Sequence, residues 1–244
     1  MKNSICYLCG KPNADTKDHV PPKCFLPKGN PVGTDRLTLW AHQKCNQEYS
    51  MDEEYLRDLL APPASEYPQG GHLIEKARKA WERPAGQIRL NNFLRDAELI
   101  ELKSSSGSII RKALGIPYER ERVQRIGLKI AQGIIYYDTA TFIDQSNINC
   151  GLIDSDQVEA ERNRETAKNN PIWLALVHNS CLHNMFSQSI AIRRAYVVVA
   201  TEPVVVCQCF MWIGLYAQSF IVVAKTELSD NTRKDFPILA QGLG

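Results

Sequence analysis

Two ligand pairs in the first fifty residues, Cys6-Tyr-Leu-Cys9 and His42-Gln-Lys-Cys45, constrain this chain more than any other feature. A two-residue gap in a tight turn lets both ends of a pair point at one ion, and four ligands of this kind suit tetrahedral zinc. A segment this short cannot bury enough apolar surface to hold itself together, so a metal cross-link between its two ends replaces part of a core. Cys6, Cys9, His42 and Cys45 fill all four positions. The zinc predicted there is therefore structural.

Between the pairs lies Asp18-His19-Val-Pro-Pro, and Asn46 follows the last ligand directly. Cleaving a phosphodiester requires a base to deprotonate water and a cation to neutralise charge on the phosphate and the departing oxygen. Imidazole can do the first, and Asp and Asn oxygens suit Mg²⁺ for the second. A DH dipeptide alone means little; its nesting inside CxxC and HxxCN makes the pattern specific.

This arrangement, over about residues 4 to 59, resembles the HNH endonuclease family, in which a zinc-braced hairpin and helix, the ββα-metal unit, carry a histidine base and one catalytic divalent ion. The stretches DHVPPKCF and HQKCNQEYSMDEEY look like a bacterial branch of it. The resemblance implies that His19 is the general base, that Asp18 and Asn46 hold Mg²⁺ or Mn²⁺, and that Cys6, Cys9, His42 and Cys45 hold the structural zinc. It further implies 5′-phosphate and 3′-hydroxyl products. Two departures stand out: His42 replaces the usual cysteine, and the family's middle asparagine is absent, with Asp35 or Arg36 near its place.

Local patterns predict the surrounding elements. Pro21-Pro22 and then Pro27 to Gly33 make a turn-rich insert that reads as an exposed loop, in which Lys23 and Lys28 are candidate phosphate contacts or, equally, solvated loop lysines. Leu37-Thr-Leu-Trp40 alternates as the second strand of a hairpin, and a helix should begin near His42. Ser50-Met-Asp-Glu53 has capping-box spacing, which favours a helix from about Met51 to Leu60 and explains Asp52, Glu53 and Glu54 as first-turn acids rather than metal ligands. Pro62 to Gly71 carries three prolines and two glycines and reads as a linker between an HNH module at 1–61 and an accessory domain at 72–244. His72 reads as a surface residue.

Residues 73 to 129 contain thirteen Lys or Arg against seven Asp or Glu. Within that basic stretch, Val123, Ile126, Ile130, Ile134 and Tyr137 recur at helical spacing, and Arg122, Arg125 and Lys129 form a stripe beside them that reads foremost as a solvated face and secondly as phosphate contacts. Residues 144 to 170 read as a polar loop and a short helix. His178 and His183, five apart, fall on different sides of a helix and make a poor metal pair. Pro203 to Ala224 lacks formal charge and has the length of a membrane span, but its Val, Gln and aromatic content suits buried strands joined near Gly214 or Leu215, with Cys207 and Cys209 as core thiols. The expected fold is α+β: the ββα-metal module, then a larger α+β domain with helices and a C-terminal antiparallel sheet.

Bulk properties frame the function. Net charge is only +2 over 244 residues, so nucleic-acid binding must come from local patches. Eight cysteines leave five outside the zinc set, an odd remainder that argues against a disulfide framework and for a reducing cytoplasm. The opening Met-Lys-Asn-Ser-Ile-Cys lacks the apolar stretch of a secretion signal. The expectation is a cytoplasmic, metal-dependent endonuclease acting on DNA without a membrane partner, suited by resemblance to restriction or anti-phage defence. Its C-terminal region would serve targeting, sensing, self-association or a protein partner. Two alternatives stay open: a non-catalytic zinc module that binds nucleic acid or protein, and an RNA-directed nuclease effector.

Overall fold

The computed structural model describes residues 4–26, 37–65, 71–103, 106–145, 148–153, 198–199, 204–213, 216–225 and 238–239. Strands β1 (Thr16–Val20) and β2 (Leu37–Ala41) pair antiparallel, with Asp18 opposite Leu39 and His19 opposite Thr38. The predicted alternation sets the inward face: Leu37, Leu39 and Ala41 are buried while Thr38 and Trp40 are exposed. Ahead of the hairpin, the Tyr7 amide donates to the Trp40 carbonyl at 3.0 Å, which docks the first ligand pair onto β2.

His42 is the N-cap of the short helix α1 (Gln43–Gln47), and after two residues the chain re-enters helix as α2 (Ser50–Ala64). The capping box expected at Ser50 does not form. Ser50 Oγ donates back to the Gln47 carbonyl at 2.8 Å, and the Asp52 and Glu53 amides donate to the Tyr49 carbonyl. The acids of that first turn pair with other helices instead: Asp52 with Arg122 at 2.7 Å and Arg125 at 2.8 Å, Glu54 with Arg89 at 2.9 Å. Helix α2 also carries Pro62 and Pro63 in its last turn, so it extends into the stretch that composition marks as a linker.

Helices α3 (Gly71–Trp81) and α4 (Pro84–Arg95) follow, the second with proline at its start, where a missing amide proton costs nothing. His72 is not a bystander. Its Nε2 lies 2.9 Å from the Phe25 carbonyl, and Lys76 one turn later donates to the Lys23 carbonyl at 2.9 Å, so α3 clamps the short 3-10 turn Lys23–Phe25. Arg89 of α4 reaches Asp58 of α2 at 2.9 Å. A second hairpin, β3 (Glu98–Lys103) with β4 (Ile109–Gly115), leaves Leu99, Ile110 and Leu114 exposed.

Helix α5 (Arg120–Thr139) is the element on which the rest converges. Val123, Ile126, Ile130 and Ile134 are buried as their spacing predicts, whereas Tyr137 is exposed. From Lys129 to Ile135 all seven residues are buried. A helix buried all round needs neighbours all round, and β1, α2, β5, β7 and β8 supply them. One cluster of buried residues runs from Cys6 and Tyr7 through Leu56, Leu73 and Phe93 to Ile134 and Ile143, and so spans both sides of 62–71.

Strand β5 (Ile148–Ile153) occupies part of the stretch expected to be a polar loop, because it pairs with β8. The strands expected to meet near Gly214 are β7 (Val204–Ile213) and β8 (Tyr216–Lys225), antiparallel with Ile213 opposite Tyr216. With β6 (Val198–Val199) and β9 (Ile238–Leu239) they form a five-stranded sheet in the order β5-β8-β7-β6-β9, antiparallel except for the β6–β9 pair. The fold is α+β, with a C-terminal sheet as expected. Among the described residues no helix is long and apolar enough to cross a membrane. The Lys28, His178 and His183 readings fall outside the described residues.

Gly133 sets the distance between α5 and the N-terminal segment. A Cβ there would lie 2.6 Å from Val20 Cγ2 and 3.2 Å from Tyr7 Cε2, both on fully buried side chains that have no solvent to move into. Gly133→Ala should therefore lower stability by about 1–3 kcal/mol through overpacking, despite the ~1 kcal/mol that alanine gains in helix propensity. Chemical denaturation checks the sign; a stabilised variant would mean that α5 is free to shift.

Candidate functional site

The four predicted zinc ligands come together. One ligand atom from each of Cys6, Cys9, His42 and Cys45 lies within 4.8 Å of all the others, so the group could hold a metal such as zinc. His42 Nδ1 is 3.3 Å from Cys9 Sγ and 3.9 Å from Cys45 Sγ. Bonds of about 2.3 Å to sulfur and 2.0–2.1 Å to nitrogen at tetrahedral angles put a nitrogen and a sulfur about 3.6 Å apart, a value that the two His42 spacings bracket.

The chain builds this geometry locally. Gly10 at φ 71 turns the knuckle, and its amide donates to the Cys6 carbonyl at 2.8 Å. His42 Nε2 lies 3.0 Å from the Pro12 carbonyl; that contact places the ring proton on Nε2 and leaves Nδ1 for a metal. The His42 amide also donates to Cys6 Sγ at 3.3 Å. Burial, followed by the neighbouring Cys9 and Cys6 sulfurs, pushes the Cys45 thiol up to about 12, a crowding of negative charge that a dication would relieve.

Asp18 and Asn46 also converge, and a third residue lies between them. Lys129 Nζ, from α5, is 2.7 Å from Asp18 Oδ2 and 2.9 Å from Asn46 Oδ1, and it donates to Glu53 Oε1 as well. The cation shared by Asp18 and Asn46 here is thus an ammonium. Asp18 is held from two more directions, by the Tyr7 hydroxyl at 2.7 Å on Oδ2 and by the His19 amide at 2.8 Å on Oδ1. Tyr7 lies inside the CxxC turn, so the Cys/His cluster and the Lys129 site are linked by a hydrogen bond. Burial first, and then the Asp18 carboxylate, raises the Tyr7 hydroxyl well above its ordinary range and keeps it a donor. Burial also raises the Glu53 carboxyl, with Lys129 opposing the shift.

His19 is half-buried on β1. Successive strand residues leave the backbone on opposite faces, so His19 departs from β1 on the face opposite to Asp18. The basic stripe read from α5 is neutralised from within: Arg122 and Arg125 pair with Asp52, and Lys129 is buried rather than solvated. Asp35 and Arg36 lie outside the described residues.

Sequence reasoning missed Tyr7, Glu53 and Lys129. Glu53 was hidden by its capping-box spacing. Lys129 had one visible signal: it is the sole charge between Gly127 and Tyr137, an otherwise uncharged run of helix. Comparison with protein-family models, with curated proteins and with solved structures found no match for this chain.

Proposed function

We propose that this chain is an HNH-type, metal-dependent endonuclease that hydrolyses phosphodiester bonds of DNA, with the β1–β2 hairpin and α1 as its ββα-metal unit. The observation that carries the reading is the meeting of a strand carboxylate and a helix amide oxygen at one cation position, 2.7 Å and 2.9 Å from Lys129 Nζ, with His19 next in the chain to Asp18. The chemistry of those oxygens suits Mg²⁺ or Mn²⁺.

In this mechanism the His19 imidazole takes a proton from water, and the resulting hydroxide attacks phosphorus in line with the departing 3′ oxygen. Asp18 and Asn46 would hold the divalent ion against the same phosphate whose attacking water His19 deprotonates. When bound, that ion supplies positive charge against the phosphate and the leaving oxygen. Tyr7 and the His19 amide keep the Asp18 carboxylate aimed. The zinc quartet takes no part in the chemistry and holds the hairpin to α1. Residues beyond the linker, the C-terminal sheet among them, would serve target recognition or self-association, in keeping with a role in restriction or anti-phage defence.

His19→Ala should lower cleavage of plasmid DNA in Mg²⁺ or Mn²⁺ by roughly 10²–10⁴-fold, the usual contribution of a general base, with zinc content and melting temperature kept. Undiminished cutting by that variant removes the mechanism. Single strands and structured RNA tested beside duplex DNA separate an RNA-directed effector from a DNA nuclease. A second reading has its own support: an ammonium already seated between Asp18 and Asn46 suits a zinc module that binds nucleic acid or protein without cutting. Such a module would shift the mobility of plasmid DNA and leave it intact.

A further inference from the structure

Lys129 is an unusual lysine. Its side chain is 1% exposed, within the part of α5 that is buried on every side. An ammonium has three N–H bonds, and Asp18, Asn46 and Glu53 accept all three. Two carboxylates face this single positive charge, so the cage keeps one negative charge in excess. Two carboxylates and an amide oxygen are the ligands a hard divalent ion takes, and the ammonium is its larger, singly charged stand-in.

Taking the identity of the ion from the nuclease reading above, we infer that Lys129 and a divalent cation are alternative occupants of one site, and that Glu53 is its third protein ligand beside Asp18 and Asn46. Oxygens drawn in to about 2.0–2.1 Å around Mg²⁺ leave no room for Nζ among the same three atoms. Two cations about 3 Å apart in a buried site also repel strongly. Binding therefore requires Nζ to leave. Because Lys129 is tethered beside the site, it competes at a high effective concentration, and divalent affinity in the resting protein is set by that competition. Cleavage would then respond to whatever moves α5, since the α5 backbone decides whether Nζ reaches the cage.

The test is a Mn²⁺ titration of the zinc-loaded, full-length protein and its Lys129→Met variant without nucleic acid, followed by calorimetry and by the electron paramagnetic resonance of Mn²⁺. Lys129→Met should bind Mn²⁺ at least about tenfold more tightly than the parent, the scale on which a tethered competitor acts. That gain should vanish in the double variant Lys129→Met/Glu53→Gln, and Mn²⁺ should raise the melting temperature of Lys129→Met more than that of the parent. Equal affinity in parent and Lys129→Met overturns the inference, as does a gain that survives loss of the Glu53 carboxylate. If Lys129→Met does not fold in the absence of divalent ions, Mn²⁺ during refolding must restore it; a chain that stays unfolded in Mn²⁺ also overturns the inference. No readout here involves cleavage, so a chain that passes the titration but cuts nothing sinks the nuclease reading alone.

Discussion

Stripping the metal from the Cys6, Cys9, His42 and Cys45 cluster, by chelation or by Cys9→Ser, should abolish cooperative unfolding of the described core instead of loosening one loop. The ligands enter from two places, the knuckle ahead of β1 and the start of α1, which are otherwise joined by individual hydrogen bonds. The Tyr7 amide reaches the Trp40 carbonyl at 3.0 Å and the Asp15 amide reaches the Ala41 carbonyl at 3.2 Å. Cys6 and Tyr7 are nonetheless fully buried in the core that continues into α5. A structural zinc contributes about 10–16 kcal/mol of apparent folding energy in small zinc domains, against about 5–15 kcal/mol of net stability in a whole domain. The two ranges overlap, so losing the ion removes most or all of the net stability. The expected result is a broad thermal transition, early proteolysis after residue 4, and recovery of both on adding Zn²⁺. A Cys9→Ser protein that melts at the parent temperature with the parent's steepness would show that the cluster holds no structural ion.

Lys129→Met should be the next most damaging change, at about 3–5 kcal/mol in buffer without divalent ions, the usual cost of removing one partner from a buried charge pair. Methionine keeps the length and flexibility of the lysine stem, so packing is largely preserved and the loss reports on charge. What remains is two carboxylates facing each other with side-chain exposures of 8% for Asp18 and 18% for Glu53, too little water to replace an ammonium. Arg122→Met provides the comparison. Its partner Asp52 also pairs with Arg125 and the Arg122 side chain is 25% exposed, so solvent and the second arginine screen the loss to about 1 kcal/mol or less. Denaturant unfolding of the two variants side by side decides the matter. Equal losses would mean that the Lys129 cage contributes no more than a surface pair.

The Cys6, Cys9, His42 and Cys45 cluster, the β1–β2 hairpin, the buried stripe of α5 and the β7–β8 pair were all legible in the sequence, for one physical reason. Each rests on spacing within a few residues: a two-residue gap that aims two ligands, alternation that assigns a strand face, a 3.6-residue period that assigns a helix face. The convergence of Asp18 with Asn46 was legible only by resemblance. What the sequence left undecided concerns residues far apart along the chain. Nothing local says that Lys129 meets Glu53 across 76 residues or Asn46 across 83. Nor does anything local say that α2 runs on through Pro62, or that Ile148–Ile153 becomes an edge strand beside β8.

The capping-box spacing at Ser50 was sound local chemistry, and tertiary pairing overrode it. Once α5 packs on α2, the acids Asp52 and Glu53 find charged partners worth more than a backbone amide. The sequence by itself determined which residues can bind a metal and which faces must be buried, because ligand chemistry and backbone periodicity are local. Only the tertiary structure decided which cation sits between Asp18 and Asn46, because that depends on how closely α5 approaches the hairpin. Gly133 permits that approach by having no side chain where Val20 and Tyr7 press against the helix.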